Sequence, residues 1–228
     1  MDDGVLDAGG LRLLDRLGAS QLCRRFYLAG GTALALQLGH RRSYDLDLFT
    51  LRPSVRLPLA QLVREVLGLF GEAEARPVLQ ESGQSDWEIG GVRVSFIAYP
   101  FPLVYPLQPY RGVSLADPRE IALMKAYALG RRATARDYVD LYWLLKSRVI
   151  TLDEIIRHCG PKFVLDGHAV FDARLFLGQL AYTADVEARD AALRAVRGGS
   201  LTFAAVERFL REEVKRYGEQ SLRGPHPG

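Results

Sequence analysis

The sequence of 228 residues contains only two cysteines, Cys23 and Cys159, which lie far apart in the chain. This number and spacing do not fit a disulfide framework or a cysteine metal site, and they favour a reducing compartment. The sequence also has no apolar run long enough to span a bilayer and no secretory signal pattern at its N-terminus. We therefore expect a cytoplasmic protein that has no membrane partner.

Lysine is scarce: only four of the 30 basic residues are lysines, and the formal net charge is +3. A mildly basic balance permits nucleic-acid binding but does not require it. Arginine suits bidentate contacts with phosphate, although genomic base composition produces the same bias. The length fits one large or two small domains with a buried core.

The strongest pattern in the chain lies in residues 27–49. Residues 25–29 are short, mostly apolar and aromatic, which predicts a buried strand. Gly30-Gly31 follows and allows a sharp turn, because glycine has no Cβ. Thr32 is placed to cap the apolar helix that comes next, and Gly39 is placed to end it.

The next strand carries two aspartates, Asp45 and Asp47, which alternation places on one face of the strand. Neighbouring carboxylates repel each other, and a divalent cation removes this conflict. Mg²⁺ takes a few carboxylate oxygens and leaves positions for substrate phosphates. A glycine turn at a helix N-terminus offers N–H groups to anionic oxygens. The pattern thus predicts an Mg²⁺ site at the aspartates, although a solvated strand face explains an Asp-x-Asp motif on its own. The predicted phosphate cradle beside the metal site consists of Gly30, Gly31 and Thr32.

The segment GGTALALQLGHRRSYDLDLF resembles the first motif of the AbiEii/AbiGii (MenT-like) nucleotidyltransferases, the toxins of type IV toxin–antitoxin systems. These proteins belong to the polymerase-β-like nucleotidyltransferase superfamily, whose pattern is Gly-Gly or Gly-Ser, a short helix, then Asp-x-Asp on a strand. The family's extension, Gly-His-Arg-x-Ser, is present at residues 39–43. The resemblance adds Arg41 and Ser43 to the nucleotide-binding candidates, and it continues to about residue 145.

The remaining patterns predict an α/β (α+β) fold, and the resemblance implies a polymerase-β-like mixed sheet with a C-terminal helical domain. We place the sheet domain at residues 1–112, the helical domain at 113–217 and a disordered tail at 218–228. Gly90-Gly91 predicts a hairpin turn. Further strands are predicted at 75–81, 86–89 and 92–99. Helices are predicted at 59–70, 118–129, 151–158, 171–182 and 201–217 and directly after Thr134.

Three charged residues of the second half, Lys125, Asp137 and Asp140, lie on mostly apolar helices. Such a lysine must reach water or meet an anion. Asp137 stands three residues after Thr134, where a capping-box acid belongs, so a structural role explains it as well. Asp140 has no such role and needs a partner, which Lys125 or the metal site could supply. The resemblance implies that Lys125 holds nucleotide phosphates and that Asp140, followed by Asp137, is a catalytic carboxylate.

A basic cluster of Arg131, Arg132 and Arg136 lies beside these carboxylates in the sequence. It is explained either by a solvated surface or by contact with a triphosphate or an RNA backbone. Arg136 is the nucleotide-binding candidate from this cluster.

Ser95 stands where many superfamily members carry a third carboxylate on a strand. Serine does not replace a carboxylate as a base or as a strong Mg²⁺ ligand. Three interpretations are open: the activity is lost, another carboxylate substitutes, or the family does not use this position. Asp86 and Glu88 are candidate substitutes, although a solvated strand face is the simpler explanation of both.

The resemblance implies an Mg²⁺-dependent enzyme that transfers NMP from an NTP to an acceptor hydroxyl. It implies the 3′ end of tRNA as acceptor and a separately encoded antitoxin as partner. Two alternatives stay open. One is a superfamily transferase that modifies a protein or a small molecule, and the other is a catalytically weakened nucleotide-binding module, for which Ser95 is the argument.

Overall fold

The structure, a computed structural model, describes residues 1–132, 134–199 and 201–222. The chain forms two compact units, Met1–Ile121 and Ala122–Gly228. The first unit is built on a mixed β-sheet and the second is mostly helical, so the predicted α/β class is confirmed. Within the described ranges, no helix is long and apolar enough to cross a membrane.

The sheet of the first unit has seven strands in the order β3-β4-β5-β2-β1-β7-β6. The pairs β2–β5 and β1–β7 are parallel and the other neighbours are antiparallel, which makes the sheet mixed. Strand β2 therefore lies in the middle, where both of its edges are hydrogen-bonded. The strands are β1 (Phe26–Ala29), β2 (Asp45–Thr50), β3 (Ala75–Gln80), β4 (Gln84–Ile89), β5 (Val92–Ile97), β6 (Gln108–Tyr110) and β7 (Val113–Leu115).

The helices of the first unit follow the apolar spacing of the sequence. Helix α3 buries Leu62, Val66 and Phe70, one apolar stripe of an amphipathic helix, against the core. Helix α2 is short and apolar nearly all round, and it is buried from Thr32 to Leu36. The unit contains α1 (Ala8–Gly18), α2 (Gly30–Leu38), α3 (Leu59–Phe70), the start of α4 (Pro118–Leu129), and two 3₁₀ turns at Asp3–Val5 and Leu22–Arg25.

The second unit begins within α4. Its helix α5 starts at the predicted cap, because the Thr134 side chain accepts a hydrogen bond from the Asp137 N–H. Helix α6 starts where the sequence predicts a helix, at a capping box formed by Thr151 and Glu154. The remaining elements are α5 (Ala135–Lys146), α6 (Leu152–Lys162), β8 (Val164–Leu165), β9 (His168–Ala169), α7 (Ala173–Ala181), α8 (Arg189–Arg194) and α9 (Phe203–Leu222).

Two predicted limits differ from the structure. The sheet extends past residue 112, because β7 pairs with both β1 and β6. Helix α9 continues to Leu222, so residues 218–222 of the predicted disordered tail are helical. The rest of that tail, residues 223–228, lies outside the described residues. The identification of the sheet domain as the nucleotidyltransferase domain stays a prediction.

Candidate functional site

The predicted metal pair, Asp45 and Asp47, lies at the start of the central strand β2. Both residues are partly buried, whereas Leu46 and Leu48 on the other face are fully buried in the core. The alternation predicted from the sequence is therefore present. In this arrangement the apolar face fixes the strand, and the two carboxylates share the opposite face at a spacing of two residues.

The glycine turn lies directly against this carboxylate pair. Gly30 has φ +64°, and a Cβ at this position would lie 2.5 Å from Asp47 Oδ2. A Cβ on Gly31 would lie 1.9 Å from Arg41 Nη2. The two missing side chains thus make room for a carboxylate and a guanidinium at the first turn of α2. Gly30, Gly31, Arg41 and Asp47 are brought together, as the motif predicts.

Thr32 does not have the helix-capping role that the sequence predicts, and it contacts Ser43 in place of this role. Helix α2 begins at Gly30 with Ala29 as its N-cap, so Thr32 is inside the helix and does not cap it. Its buried Oγ1 lies 2.6 Å from Ser43 Oγ and donates to the carbonyl of Asp45. These contacts tie α2 to the loop before β2 through Ser43 and to β2 itself through Asp45. Alanine has no side-chain acceptor, so the first-turn N–H groups of α2 have no side-chain cap at this end.

The donor set suits Mg²⁺ that arrives with a nucleotide. Within residues 1–132, 134–199 and 201–222, no group of three or more His, Cys, Asp or Glu side chains is arranged to hold a metal ion. Mg²⁺ is commonly bound by one or two carboxylates together with substrate phosphates and water. The oxygens of Asp45 and Asp47, with no Cβ at Gly30 to fill the space beside Asp47, fit this mode of binding.

The neighbouring strands correct the interpretation of Asp86 as part of a solvated face. Asp86 is only 2% exposed, and its Oδ2 lies 2.6 Å from Arg93 Nη2. Gln84 Nε2 donates to its Oδ1 at 2.8 Å. Burial alone would raise the pKa of Asp86, but hydrogen bonds from Gln84, Arg93 and Ser95 hold it below its usual value. Glu88, in contrast, is exposed as expected.

The second unit pairs the three charged residues predicted from its helices. Lys125 Nζ lies 2.7 Å from Asp137 Oδ1 and 2.8 Å from Asp140 Oδ2. All three residues are buried, and Asp140 is fully inaccessible to solvent. Thr134 Oγ1 donates to the second oxygen of Asp137 at 2.7 Å. Asp137 therefore accepts a bond from the hydroxyl of the N-cap residue Thr134 and also forms an ion pair with Lys125.

The three arginines of the basic cluster have different surroundings in the structure. Arg131 packs over the Tyr127 ring at 3.6 Å and donates to the carbonyl of Val170 at 2.9 Å, so its guanidinium stabilises the helical unit. Arg132 is exposed, and Arg136 is exposed on the first turn of α5. Arg136 is thus accessible, as a nucleotide contact requires.

Arg93 is a site residue that the sequence analysis did not select. Asp45 lies opposite Arg93 in the parallel pairing of β2 with β5, and Asp47 lies opposite Ser95. Alternation along residues 92–97 indicates that Arg93 and Ser95 share a face. Arg93 could not be selected from the sequence alone. Its position next to Asp45 depends on the pairing of β5 with β2, and these two strands are not consecutive in the chain.

A family model described as "Nucleotidyl transferase AbiEii toxin, Type IV TA system" matches residues 12–108 and 98–224 of the chain. An uncharacterized protein of Aquifex aeolicus (strain VF5) is 29% identical over 206 residues, which are 90% of this chain and 93% of that protein. These matches cover both units.

Solved structures are similar in fold. The crystal structure of a candidate nucleotidyltransferase from H. pylori superposes with a TM-score of 0.51 at 16% identity and covers 95% of each chain. A second structure from Helicobacter pylori has a TM-score of 0.49 at 16% identity and covers 93% of this chain and 92% of its own. The first of these supports a shared fold over nearly the whole chain.

Proposed function

The chain belongs to the AbiEii family of nucleotidyl transferase toxins of type IV toxin–antitoxin systems, and from this premise we propose that it transfers NMP to the 3′ end of tRNA with the help of Mg²⁺. The family implies an NTP substrate and a separate antitoxin. The observation that carries the proposal is the pair Asp45 and Asp47, with the Asp47 carboxylate seated against Gly30. A tRNA acceptor also implies a cytoplasmic site of action.

The reaction forms a bond between the acceptor oxygen and the α-phosphorus of the NTP. The bond from that phosphorus to the oxygen bridging to the β-phosphate breaks, pyrophosphate leaves, and the hydroxyl proton is released to water. Mg²⁺, when bound, would lower the pKa of the acceptor hydroxyl and offset the charge on the phosphates. Asp45 and Asp47 would hold the metal.

The first turn of α2 and Arg41 are assigned to the phosphates. N–H groups at a helix N-terminus favour anionic oxygens, and the Arg41 guanidinium lies at the same turn, against Gly31. Arginine is suited to phosphate because its donors form a planar fork. Thr32 and Ser43 support this turn through the bonds that tie α2 to the loop before β2.

Lys125 is proposed to offset phosphate charge, with Arg136 as a further nucleotide contact. The buried carboxylates of Asp137 and Asp140 bond to the Lys125 ammonium. Because Asp140 is fully buried against Lys125, we assign it the positioning of this lysine in place of direct contact with the substrate.

The proposal is tested by incubating the protein with Mg²⁺, each NTP labelled at its α-phosphate, and total tRNA. We expect label at the 3′ end of tRNA. Transfer should not occur to tRNA that has been oxidised with periodate beforehand, because the oxidation destroys the terminal diol that accepts the NMP. Chelation of Mg²⁺ should stop the transfer. Label on added protein or on a small molecule, with none on any RNA, would instead support one of the alternative transferases.

The metal assignment predicts that Asp45→Asn or Asp47→Asn abolishes transfer and leaves the fold intact, because relieving repulsion between carboxylates rarely destabilises a protein. Transfer rate and melting temperature are measured together. Asp153→Asn is the matched control, since Asp153 is an exposed aspartate in a helix-surface pair with Arg157. Full activity in either β2 variant contradicts the assignment.

A further inference from the structure

The face of the sheet that carries Asp45 and Asp47 also carries an arginine–aspartate pair that the proposed function leaves without a role. Asp47 on β2 lies opposite Ser95 on β5, and Ser95 lies opposite Asp86 on β4. Asp45 lies opposite Arg93 in the same way. Residues that face each other across paired strands point to the same side of a sheet, so all five side chains share one surface.

Asp86 is held more firmly than a surface carboxylate. A carboxylate that is 2% exposed is costly to bury unless it is hydrogen-bonded. Asp86 receives bonds from Gln84 and Arg93 at 2.8 and 2.6 Å. These contacts fix the carboxylate, and through it they fix the position of the Arg93 guanidinium.

Arg93 itself is accessible. Its side chain is 58% exposed, although one Nη atom bonds to the buried Asp86. A guanidinium has five N–H donors in a planar fork, so a single such bond does not exhaust its capacity. The hydrogen bond and charge of Asp86, and then the charges of Asp45 and Asp47, raise the pKa of Arg93. Asp86 lies on β4 and Asp45 lies opposite Arg93 on β2, so Arg93 lies between the carboxylate that holds it and the β2 carboxylates.

We propose that Arg93 binds the polyphosphate of the nucleotide and that Asp86 is the positioning residue that holds Arg93 beside Asp45 and Asp47. The proposal rests on the proposed function, because it assumes a nucleotide at the β2 carboxylates. The three aspartates on this face would repel a triphosphate, and Arg93 is a cation fixed among them. A mobile surface arginine would lose more side-chain freedom on binding the same phosphate.

The same arrangement gives Ser95 a role. It lies opposite Asp86 in the pairing of β4 with β5, and its hydroxyl helps to lower the pKa of the carboxylate that holds Arg93. A carboxylate at this position would face Asp47 on one side and Asp86 on the other. It would compete with Asp86 for the guanidinium, whereas a hydroxyl adds no charge at this position.

The test measures binding of inorganic tripolyphosphate in the presence of Mg²⁺ by calorimetry, and in parallel the KM for the NTP. Loss of one charge-assisted phosphate contact weakens binding by about tenfold to a hundredfold, and we expect this for Arg93→Gln. Arg93→Lys should be intermediate, since it keeps the charge and loses the fork. The matched control is Arg76→Gln, which removes the same charge from an exposed pair with Glu88 on the same sheet. It should bind within about twofold of the parent.

Asp86→Asn is expected to weaken tripolyphosphate binding less than Arg93→Gln does, because Arg93 keeps its charge but loses its anchor. Should Asp86→Asn unfold, the two Arg93 variants carry the test. Parent-like binding by Arg93→Gln, or no tripolyphosphate binding by the parent, overturns the inference. A parent that binds tripolyphosphate through Arg93 but transfers no NMP to any acceptor overturns the proposed function and leaves the Arg93 assignment supported.

Discussion

At the scale of single residues, Lys125 is enclosed by two carboxylates within one helical unit. In Asp140→Ala, Lys125 keeps Asp137 as a partner but loses a buried charge-assisted hydrogen bond, which costs about 1.5–3 kcal/mol. Asp140→Ala should therefore lower the melting temperature whatever the function of Lys125. Stability alone cannot distinguish a purely structural pair from a functional one.

The functional role predicts a loss of turnover that persists in folded protein. We expect Lys125→Ala to weaken NTP binding or transfer by roughly ten- to a thousandfold, the scale of a lost charge-assisted phosphate contact. Asp140→Ala should lose turnover as well, because Lys125 then loses a bond that positions it. Both are assayed well below their melting temperatures. Lys215→Ala, an exposed lysine paired with Glu219, is the control and should behave like the parent. Normal turnover in folded Asp140→Ala would contradict the functional role of Asp140 and leave a purely structural one.

The buried charged residues also show which parts of the candidate site can be predicted from the sequence alone. Lys125 and Asp140 stand out because a charge on an apolar helix needs a partner, and each does have one. Asp86 does not stand out, because an aspartate in a polar strand looks solvated. Its buried carboxylate is held by Gln84 on its own strand and by Arg93 on another strand. That contact exists only once β4 and β5 have paired.

At the scale of elements, the junction from β1 into α2 predicts a strict requirement for glycine. Gly30→Ala would place a residue with a Cβ at φ +64°, which costs about 1–2 kcal/mol, and would press that Cβ against Asp47 Oδ2. We expect transfer to be lost, and the thermal melt to show a modest destabilisation.

Helix α3 offers the matched substitution for this test. Gly68 lies inside that helix, and a Cβ there would meet no atom within 4 Å. Gly68→Ala should leave transfer unchanged and stabilise the protein by about 0.5–1 kcal/mol. If Gly30→Ala retained the parent's transfer rate, close approach of Asp47 to the turn would not be required for activity.

Elements with strong local signals were predicted well. Helix α4 occupies the predicted residues 118–129, and the glycines at 90 and 91 both have positive φ in the predicted hairpin turn. Strands β6 and β7 were missed because each has three residues and β7 pairs with the distant β1. Glu120, in the first turn of α4, accepts the N–H groups of Val104 and Tyr105 at 2.9 and 3.1 Å. A carboxylate that bonds a remote loop leaves no signal in its own helix.

At the scale of the whole molecule, the order of strands decides which candidates meet. The parallel pairing of β2 with β5 crosses over β3 and β4 in sequence, and local patterns do not encode it. That pairing brings Arg93 and Ser95 next to the two aspartates. The motif around Gly30 and Asp47 was predictable because its parts are consecutive in the chain, whereas its surroundings depend on long-range pairing.

Under the proposed function, a tRNA with extra nucleotides at its 3′ end would no longer accept an amino acid in a growing cell. Induced expression of the parent should arrest growth. The nucleotide that the protein transfers in vitro should also be found as an extra nucleotide at the 3′ ends of cellular tRNA. Asp47→Asn should permit growth, because the variant keeps the fold and loses the metal ligand. Asp153→Asn, at an exposed position, should arrest growth as the parent does. Protein abundance is compared by immunoblot, since a poorly accumulating variant would also be harmless. Arrest by the parent and by Asp47→Asn at equal abundance, without any change at tRNA ends, would show that the harm does not arise from nucleotide transfer.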